Sequence, residues 1–331
     1  MKNSKKADYR LGVDMGGTKI LAAVVDPDGA IVGMGKKKTK AEVGPDGVIK
    51  RILDTASEAL GAAKLSMKNI SGVGVGAPGP VDYETGVVYS AANLPGWNDV
   101  PLGACLKKEW GVPVRIENDA NLGALGEFTH GAGRGCRHML GIWVGTGIGG
   151  GVIIDGKLHR GARYGAGEIG HMVALPHGPL CGCGRQGCVE ALASRTAIER
   201  FVRLGLAEGK SPLVADLLAA ENDRFTSSII AQAVAANDAL MLEIISQAQF
   251  YLGLMTANLV NVLDPEVVVF GGGVVEALGD AFLQPIRDTA VSYYLQQRNT
   301  DQVHIVPATL GDNAGVLGGA ALASAPAVRK D

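Results

Sequence analysis

The sequence contains one pattern twice. Residues 11–25, LGVDMGGTKILAAVV, run as an apolar strand, a glycine turn and a second apolar strand, followed by the turn Asp26-Pro27-Asp28-Gly29. Residues 139–154, MLGIWVGTGIGGGVII, repeat that plan, with Asp155-Gly156 as the next turn. One hydrophobic core does not need the same β-meander opening twice. A repeat spaced by about half the chain therefore predicts two similar α/β domains. The length agrees, since 331 residues exceeds one average domain of roughly 150 residues.

The turns also narrow the chemistry. Five of the seven residues Gly145-Thr146-Gly147-Ile148-Gly149-Gly150-Gly151 are glycine, which weakens a strand unless something approaches the backbone closely. A phosphate-binding turn and a simple bulge both fit. The lysine of a P-loop and the strand-to-helix context of a dinucleotide fingerprint are missing. The segment Asp14-Met15-Gly16-Gly17-Thr18-Lys19 sets a carboxylate, two glycines, a hydroxyl and an ammonium together, as an anion cradle or an ordinary hairpin would. A third cluster, Gly271-Gly272-Gly273, follows the apolar strand 267–270 and is either a tight strand-helix turn or a ligand-facing strand end.

Further strands at 72–76, 112–116 and 303–307 and helices at 48–63, 120–128 and 194–206 complete the alternation of α/β layers. The longest expected helix is 239–263, with Leu242, Ile245, Leu252, Met255, Leu259 and Val262 turned to the core and Pro265 ending it. The net charge of −2 gives no electrostatic footprint for nucleic acid or an anionic membrane, so a small substrate is expected. The basic N-terminal residues 1–10 are followed by a stretch that Asp14 and Gly16-Gly17 interrupt, which argues against a secretion signal. The Ala- and Gly-rich run 314–328 is shorter than the roughly 20 residues a span requires and reads as a packed helix.

Three of the five cysteines lie within eight residues, which suits a metal site in a reducing cytoplasm better than a disulfide framework. His171, Cys181, Cys183 and Cys188 supply one imidazole and three thiolates, enough for a closed tetrahedral zinc site that braces a loop. Reduced free cysteines are the alternative. His177, only four residues before Cys181, is a weaker fourth ligand, and Cys105 and Cys136 stand apart as packed thiols. Glu168 and Glu190 flank the loop, either as surface acids or, on a metal-fixed loop, as rigid acceptors for sugar hydroxyls. In Ile116-Glu117-Asn118-Asp119-Ala120-Asn121 a strand gives way to a helix, and Asp119 is either a helix N-cap or the general base of a kinase.

Over essentially its whole length the chain resembles the ROK family of sugar kinases and repressors. The resemblance is most specific in Gly167-Glu168-Ile169-Gly170-His171 followed by Cys181-Gly182-Cys183-Gly184-Arg185-Gln186-Gly187-Cys188-Val189-Glu190. It implies two similar actin-like (ribonuclease H-like) α/β domains with a cleft between them. These are a small domain, 1–118, completed by a C-terminal helix at 313–328, and a larger one, 119–312, holding the zinc loop. It implies ATP and phosphate contacts at Asp14, Gly16, Gly17, Thr18, Lys19, Gly145, Thr146, Gly147 and Gly149, with Gly271, Gly272 and Gly273 as the adenosine motif. It makes Asp119 the catalytic base and assigns Gly79, Asn93, Asn118, Asp119, Glu168, His171 and Glu190 to the sugar, with Asp14 acting on Mg2+ through water.

The implied activity is ATP-dependent phosphorylation of a hexose at its 6-hydroxyl as two lobes close around sugar and Mg-ATP. Glucose is the first choice, with N-acetylglucosamine or N-acetylmannosamine as the alternative. Family repressors carry a helix-turn-helix ahead of the first phosphate loop. That loop begins here at Asp14, so the expectation is an enzyme rather than a sugar-sensing transcription regulator. The expected setting is cytoplasmic, as a homodimer or tetramer, with ATP, Mg2+ and structural Zn2+ and with no nucleic-acid or membrane partner.

Overall fold

The described residues, 8–91 and 94–324 of a computed structural model, form three sheets. Their strands are β1 (Tyr9–Met15), β2 (Lys19–Val25), β3 (Ile31–Lys38), β4 (Ile70–Ala77), β5 (Val81–Asp82), β6 (Val87–Ser90), β7 (Asn98–Val100), β8 (Val114–Asn118), β9 (Met139–Val144), β10 (Ile148–Ile154), β11 (Lys157–Leu158), β12 (Val267–Gly271) and β13 (His304–Pro307). The first sheet has the order β3-β2-β1-β4-β8, with an antiparallel meander over β1 to β3 and with β4 and β8 parallel to β1. The second has the order β11-β10-β9-β12-β13, with β12 parallel to both β9 and β13. The two orders match position by position, which is the repeat seen in the sequence. The third sheet, β5-β6-β7, was not foreseen, because strands this short carry too few residues to display an alternating pattern.

The chain divides into two compact units. The first comprises Met1–Gly135, Gly151–Ala166 and Asp312–Asp331, and the second comprises Cys136–Gly150 and Gly167–Gly311. The helix Asp119–His130, expected from the sequence to open the second domain, lies in the first unit because it packs backbone to backbone on the helix Ala314–Ser324. A Cβ on Gly318 would stand 1.9 Å from the Leu122 carbonyl oxygen, and one on Gly126 would stand 2.1 Å from that of Ala314. On the sheet side, a Cβ on Gly12 would stand 1.8 Å from the Val316 carbonyl oxygen. Only glycine fits such approaches, which explains why the run from 314 is so poor in side chains. Positions 325–328 of the expected helix lie outside the described residues.

In the first unit β2 is buried from Ile20 to Val25, an unbroken apolar strand of the kind that forms where both faces of a sheet are covered. The helix Gly44–Ala62 covers one face, with Val48, Ile52, Ala56 and Ala59 fully buried. In the second unit the core strand β12 buries Val268, Val269 and Phe270 completely. The long helix spans Ala239–Leu263, as expected, because Asp238 caps it by accepting from the Met241 N–H at 2.9 Å. Asp264 in the left-handed conformation and Pro265 end it. Ile245, Leu252, Met255 and Leu259 face the core, but Leu242 and Val262 are 39% and 79% exposed and do not belong to that face. Among the described residues no single helix is long and apolar enough to cross a membrane.

Candidate functional site

In the first unit the parallel strands β1, β4 and β8 end together. Asp14 pairs with Gly76 in one register and Gly76 with Glu117 in the next. A Cβ on Gly76 would lie 3.6 Å from Asp14 Oδ1 and 3.5 Å from the Asp119 Cα, so both acidic residues lie beside this one glycine. This is the carboxyl edge of the sheet, where open α/β folds bind ligands.

The turn from β8 into the helix Asp119–His130 is capped by Asn118, whose Oδ1 accepts from the Asn121 N–H at 3.1 Å. Asp119 is therefore the first residue of the helix and not its cap, and its Oδ1 accepts from the Ala120 N–H at 2.8 Å. Asn118 Nδ2 donates to the Gly79 carbonyl at 3.3 Å. Gly79 has φ +87°, and a Cβ there would stand 2.0 Å from the Ser90 carbonyl oxygen. Asn93 lies outside the described residues.

The turn after β1 is a hairpin first. The Gly16 N–H donates to the Lys19 carbonyl at 2.9 Å, and Thr39 Oγ1 donates to the Gly16 carbonyl at 2.6 Å. Gly17 is half-buried and Thr18 exposed at its tip, while the Lys19 ammonium pairs with Asp312. Asp14 faces Gly315, where a Cβ would stand 2.6 Å from its Cγ.

Burial pushes the Asp14 carboxyl from 3.8 up to about 6, with Lys19 opposing the shift and Asp312 adding to it. A raised carboxyl pKa means that the folded state binds the proton more tightly than the unfolded state. Stability is therefore lost as pH rises from about 4 through about 6, by at most about 3 kcal/mol. Asp14→Asn is expected to raise the melting temperature above pH 7 and to change it little near pH 4, in calorimetry without divalent cations. An equal effect at both pH values would refute this cause.

In the second unit the glycine loop joins β9 to β10, and the Gly145 N–H donates to the Gly147 carbonyl at 2.9 Å. Arg195 donates from its N–H to the Gly145 carbonyl at 2.9 Å and from Nη2 to Thr146 Oγ1 at 2.8 Å. Thr196 Oγ1 donates to the Thr146 carbonyl at 2.8 Å, and the Ile148 N–H donates to Glu190 Oε2 at 2.9 Å. A Cβ on Gly147 would stand 2.3 Å from Glu190 Oε2, and one on Gly150 would stand 2.5 Å from the Ile169 side chain. These two glycines serve internal packing, whereas Gly145 has open space at its missing side chain. Gly149 lies half-buried within β10.

Gly272, with φ +92°, would put a Cβ 2.6 Å from the Val144 carbonyl oxygen, so the third glycine cluster abuts the root of the second. Gly271 closes β12 and Gly273 opens the helix Gly273–Leu278. Arg195 and Thr196 were missed in the sequence, where nothing marks an arginine or threonine as the clasp of a loop some 50 residues away.

The metal-type residues also converge. One ligand atom each from His171, Cys181, Cys183 and Cys188 lies within 4.8 Å of the others. Cys181 Sγ is 3.7 Å from His171 Nδ1, and the sulfurs of Cys183 and Cys188 are 3.7 Å apart. A tetrahedron with zinc–sulfur arms of about 2.3 Å has edges of roughly 3.8 Å, so the donors fit that ion. Gly187, with φ +76°, would place a Cβ 1.7 Å from the Leu175 carbonyl oxygen, which fixes the loop's return path.

His171 Nε2 faces Glu168 Oε2 at 4.0 Å, away from the sulfurs. Burial pushes the Cys181 and Cys188 thiols up, while the Arg185 backbone N–H brings Cys183 down. Buried thiols of this kind become thiolates when a divalent cation compensates their charge. Cys105 and Cys136 are half-buried.

The ROK family model matches residues 10–325. A glucokinase of Halalkalibacterium halodurans is 40% identical over 94% of this chain and 93% of its own length. A glucokinase of Thermotoga maritima is 37% identical over 94% of this chain and 96% of its own. Among solved structures, a ROK family glucokinase from Streptomyces griseus in complex with glucose and AMPPNP aligns with a TM-score of 0.82 at 34% identity, over 95% of this chain and 99% of that one.

Proposed function

The chain belongs to the ROK family, and from that membership we propose that it transfers the γ-phosphoryl group of ATP to the 6-hydroxyl of a hexose, glucose before others. The observation that carries the reading is the placing of Asp14 and Asp119 beside Gly76 at the carboxyl edge of one sheet, with Asn118 and not Asp119 capping the helix. Phosphoryl transfer asks little of the protein beyond positioning, charge stabilisation and an acceptor for the hydroxyl proton. Asp119 Oδ2 is assigned as that acceptor. Asn118 and Gly79 form a rigid pair beside it through their 3.3 Å hydrogen bond and are assigned to the sugar with Asn93, Glu168, His171 and Glu190.

The hairpin Asp14–Lys19, the loop Gly145–Gly149 and the cluster Gly271–Gly273 are assigned to the nucleotide. Mg2+, held through Asp14 by way of water, would neutralise charge on the phosphates. Zn2+ on His171, Cys181, Cys183 and Cys188 would stiffen the loop that carries Glu190, with no open position for chemistry. The same reading makes the protein a cytoplasmic homo-oligomer whose partners are sugar and ATP.

The test is ADP release over a panel of hexoses and N-acetylhexosamines. Glucose is expected to exceed the N-acetylhexosamines in kcat/KM by on the order of tenfold or more. A preference for N-acetylglucosamine or N-acetylmannosamine would move the reading to that substrate, and no turnover with any sugar would favour a binding role.

A further inference from the structure

Phosphoryl transfer does not account for Glu117, a carboxylate only 3% exposed at the end of β8. Both of its oxygens accept hydrogen bonds. Oε1 accepts from the Asn118 N–H and from Asn121 Nδ2, each at 3.0 Å, and Oε2 accepts from Arg160 Nε at 2.6 Å. Arg160 comes from a segment 43 residues further along the chain, in the same unit. Its guanidinium lies over the Tyr83 ring, 3.7 Å from the centroid, and the Tyr83 hydroxyl accepts from Arg115 Nη1 at 2.7 Å. Arg115 is itself a residue of β8, so the clasp returns to the strand it started from.

A buried ion pair is poor value as a source of stability, because well-packed apolar residues often do as well. What such a pair supplies is direction. Here the carboxylate holds the backbone N–H of the residue before Asp119 and the side chain of the residue two positions after it. Both ends of the turn that aims Asp119 are fixed by one group, and that group is held by Arg160.

We propose that Glu117 and Arg160 are positioning residues that lock the Asn118–Asn121 turn in the orientation Asp119 needs. Neither acts on the substrate, and the inference rests on Asp119 as the general base. Arg160→Met leaves the buried carboxylate without its cation, whereas Glu117→Gln combined with Arg160→Met removes both charges. The Gln carbonyl can still accept from Asn118 and Asn121.

The expected result is a fall in kcat of about 30-fold or more for Arg160→Met, with KM for ATP changed less than about threefold. Misplacement of a reacting group by about 1 Å can cost on the order of a hundredfold. The double variant is expected to recover to within about fivefold of wild type, because the unpaired charge is gone. Arg160→Lys, which keeps the charge but loses the planar stack, is expected to lose about tenfold in kcat at a near-normal melting temperature.

A purely structural pair would lower the melting temperature and leave kcat of the folded protein unchanged in both single variants. That outcome, or a double variant slower than Arg160→Met, overturns the inference. Amide hydrogen exchange over residues 118–122 is read without substrate, and it is expected to quicken in Arg160→Met and to return in the double variant. Unchanged exchange overturns the positioning role even in a protein that turns over no sugar. Exchange that quickens in Arg160→Met and returns in the double variant, alongside a wild type without kinase activity, overturns only the proposed reaction.

Discussion

Asp119→Asn is expected to lower kcat by about 10²–10⁴ while leaving the sugar dissociation constant within about twofold of wild type. The substitution is nearly isosteric, and the Asn oxygen can still accept from the Ala120 N–H, which Asp119 Oδ1 does at 2.8 Å. The helix does not depend on it, because its cap is Asn118. On the proposed reaction, what disappears is the ability to take a proton as the sugar oxygen attacks phosphorus. Were Asp119 an ordinary cap, Asn would replace it at almost no cost and neither rate nor affinity would change. Steady-state ADP release gives kcat and titration calorimetry gives the sugar affinity. A near-normal rate would remove Asp119 as the base.

What is legible in the sequence depends on the distance along the chain over which a signal must be read. The repeated strand-turn-strand openings are local, and they gave the matching orders of the two main sheets. The long helix was legible because its cap Asp238 and its terminator Pro265 are both adjacent to it. The four metal-type residues fall within 18 positions, close enough for spacing alone to group them. Contacts across longer stretches left no trace. Nothing in the sequence pairs Glu117 with Arg160 or Thr146 with Arg195.

Glycine was the ambiguous letter. Gly145, Gly147 and Gly150 look alike in the sequence, yet the latter two are required by Glu190 and Ile169 pressing against them, and only Gly145 faces open space. The third case, Gly318, is a packing glycine between two helices. A glycine-rich run thus records close approach without saying whether a ligand or the protein itself is approaching.

Cys183→Ser is expected to reduce bound zinc from about one ion per chain to near zero, and to raise KM for the sugar by about tenfold or more. Cys183 is the exposed one of the four metal-type residues, so the substitution opens no cavity in a core, and loss of packing cannot stand in for loss of metal. Serine is a poor zinc ligand, and three donors do not close the tetrahedron. Because metal binding and loop folding are one equilibrium in a segment of this size, the loop should loosen as the ion leaves.

Glu190 carries the consequence outward. It lies two residues beyond Cys188, its Oε1 is 3.5 Å from Cys181 Sγ, and its Oε2 holds the Ile148 N–H at the end of the second glycine loop. Loosening the metal loop should therefore weaken ATP binding as well as sugar binding. By contrast, kcat at saturation should fall far less than in Asp119→Asn, since Asp119 opens a helix of the other unit. Elemental analysis of the purified protein reads the metal, and initial rates against both substrates read the coupling. Wild-type protein that is fully active without zinc would overturn the structural role of the ion. A rise in sugar KM with no change in ATP KM would break the link through Glu190.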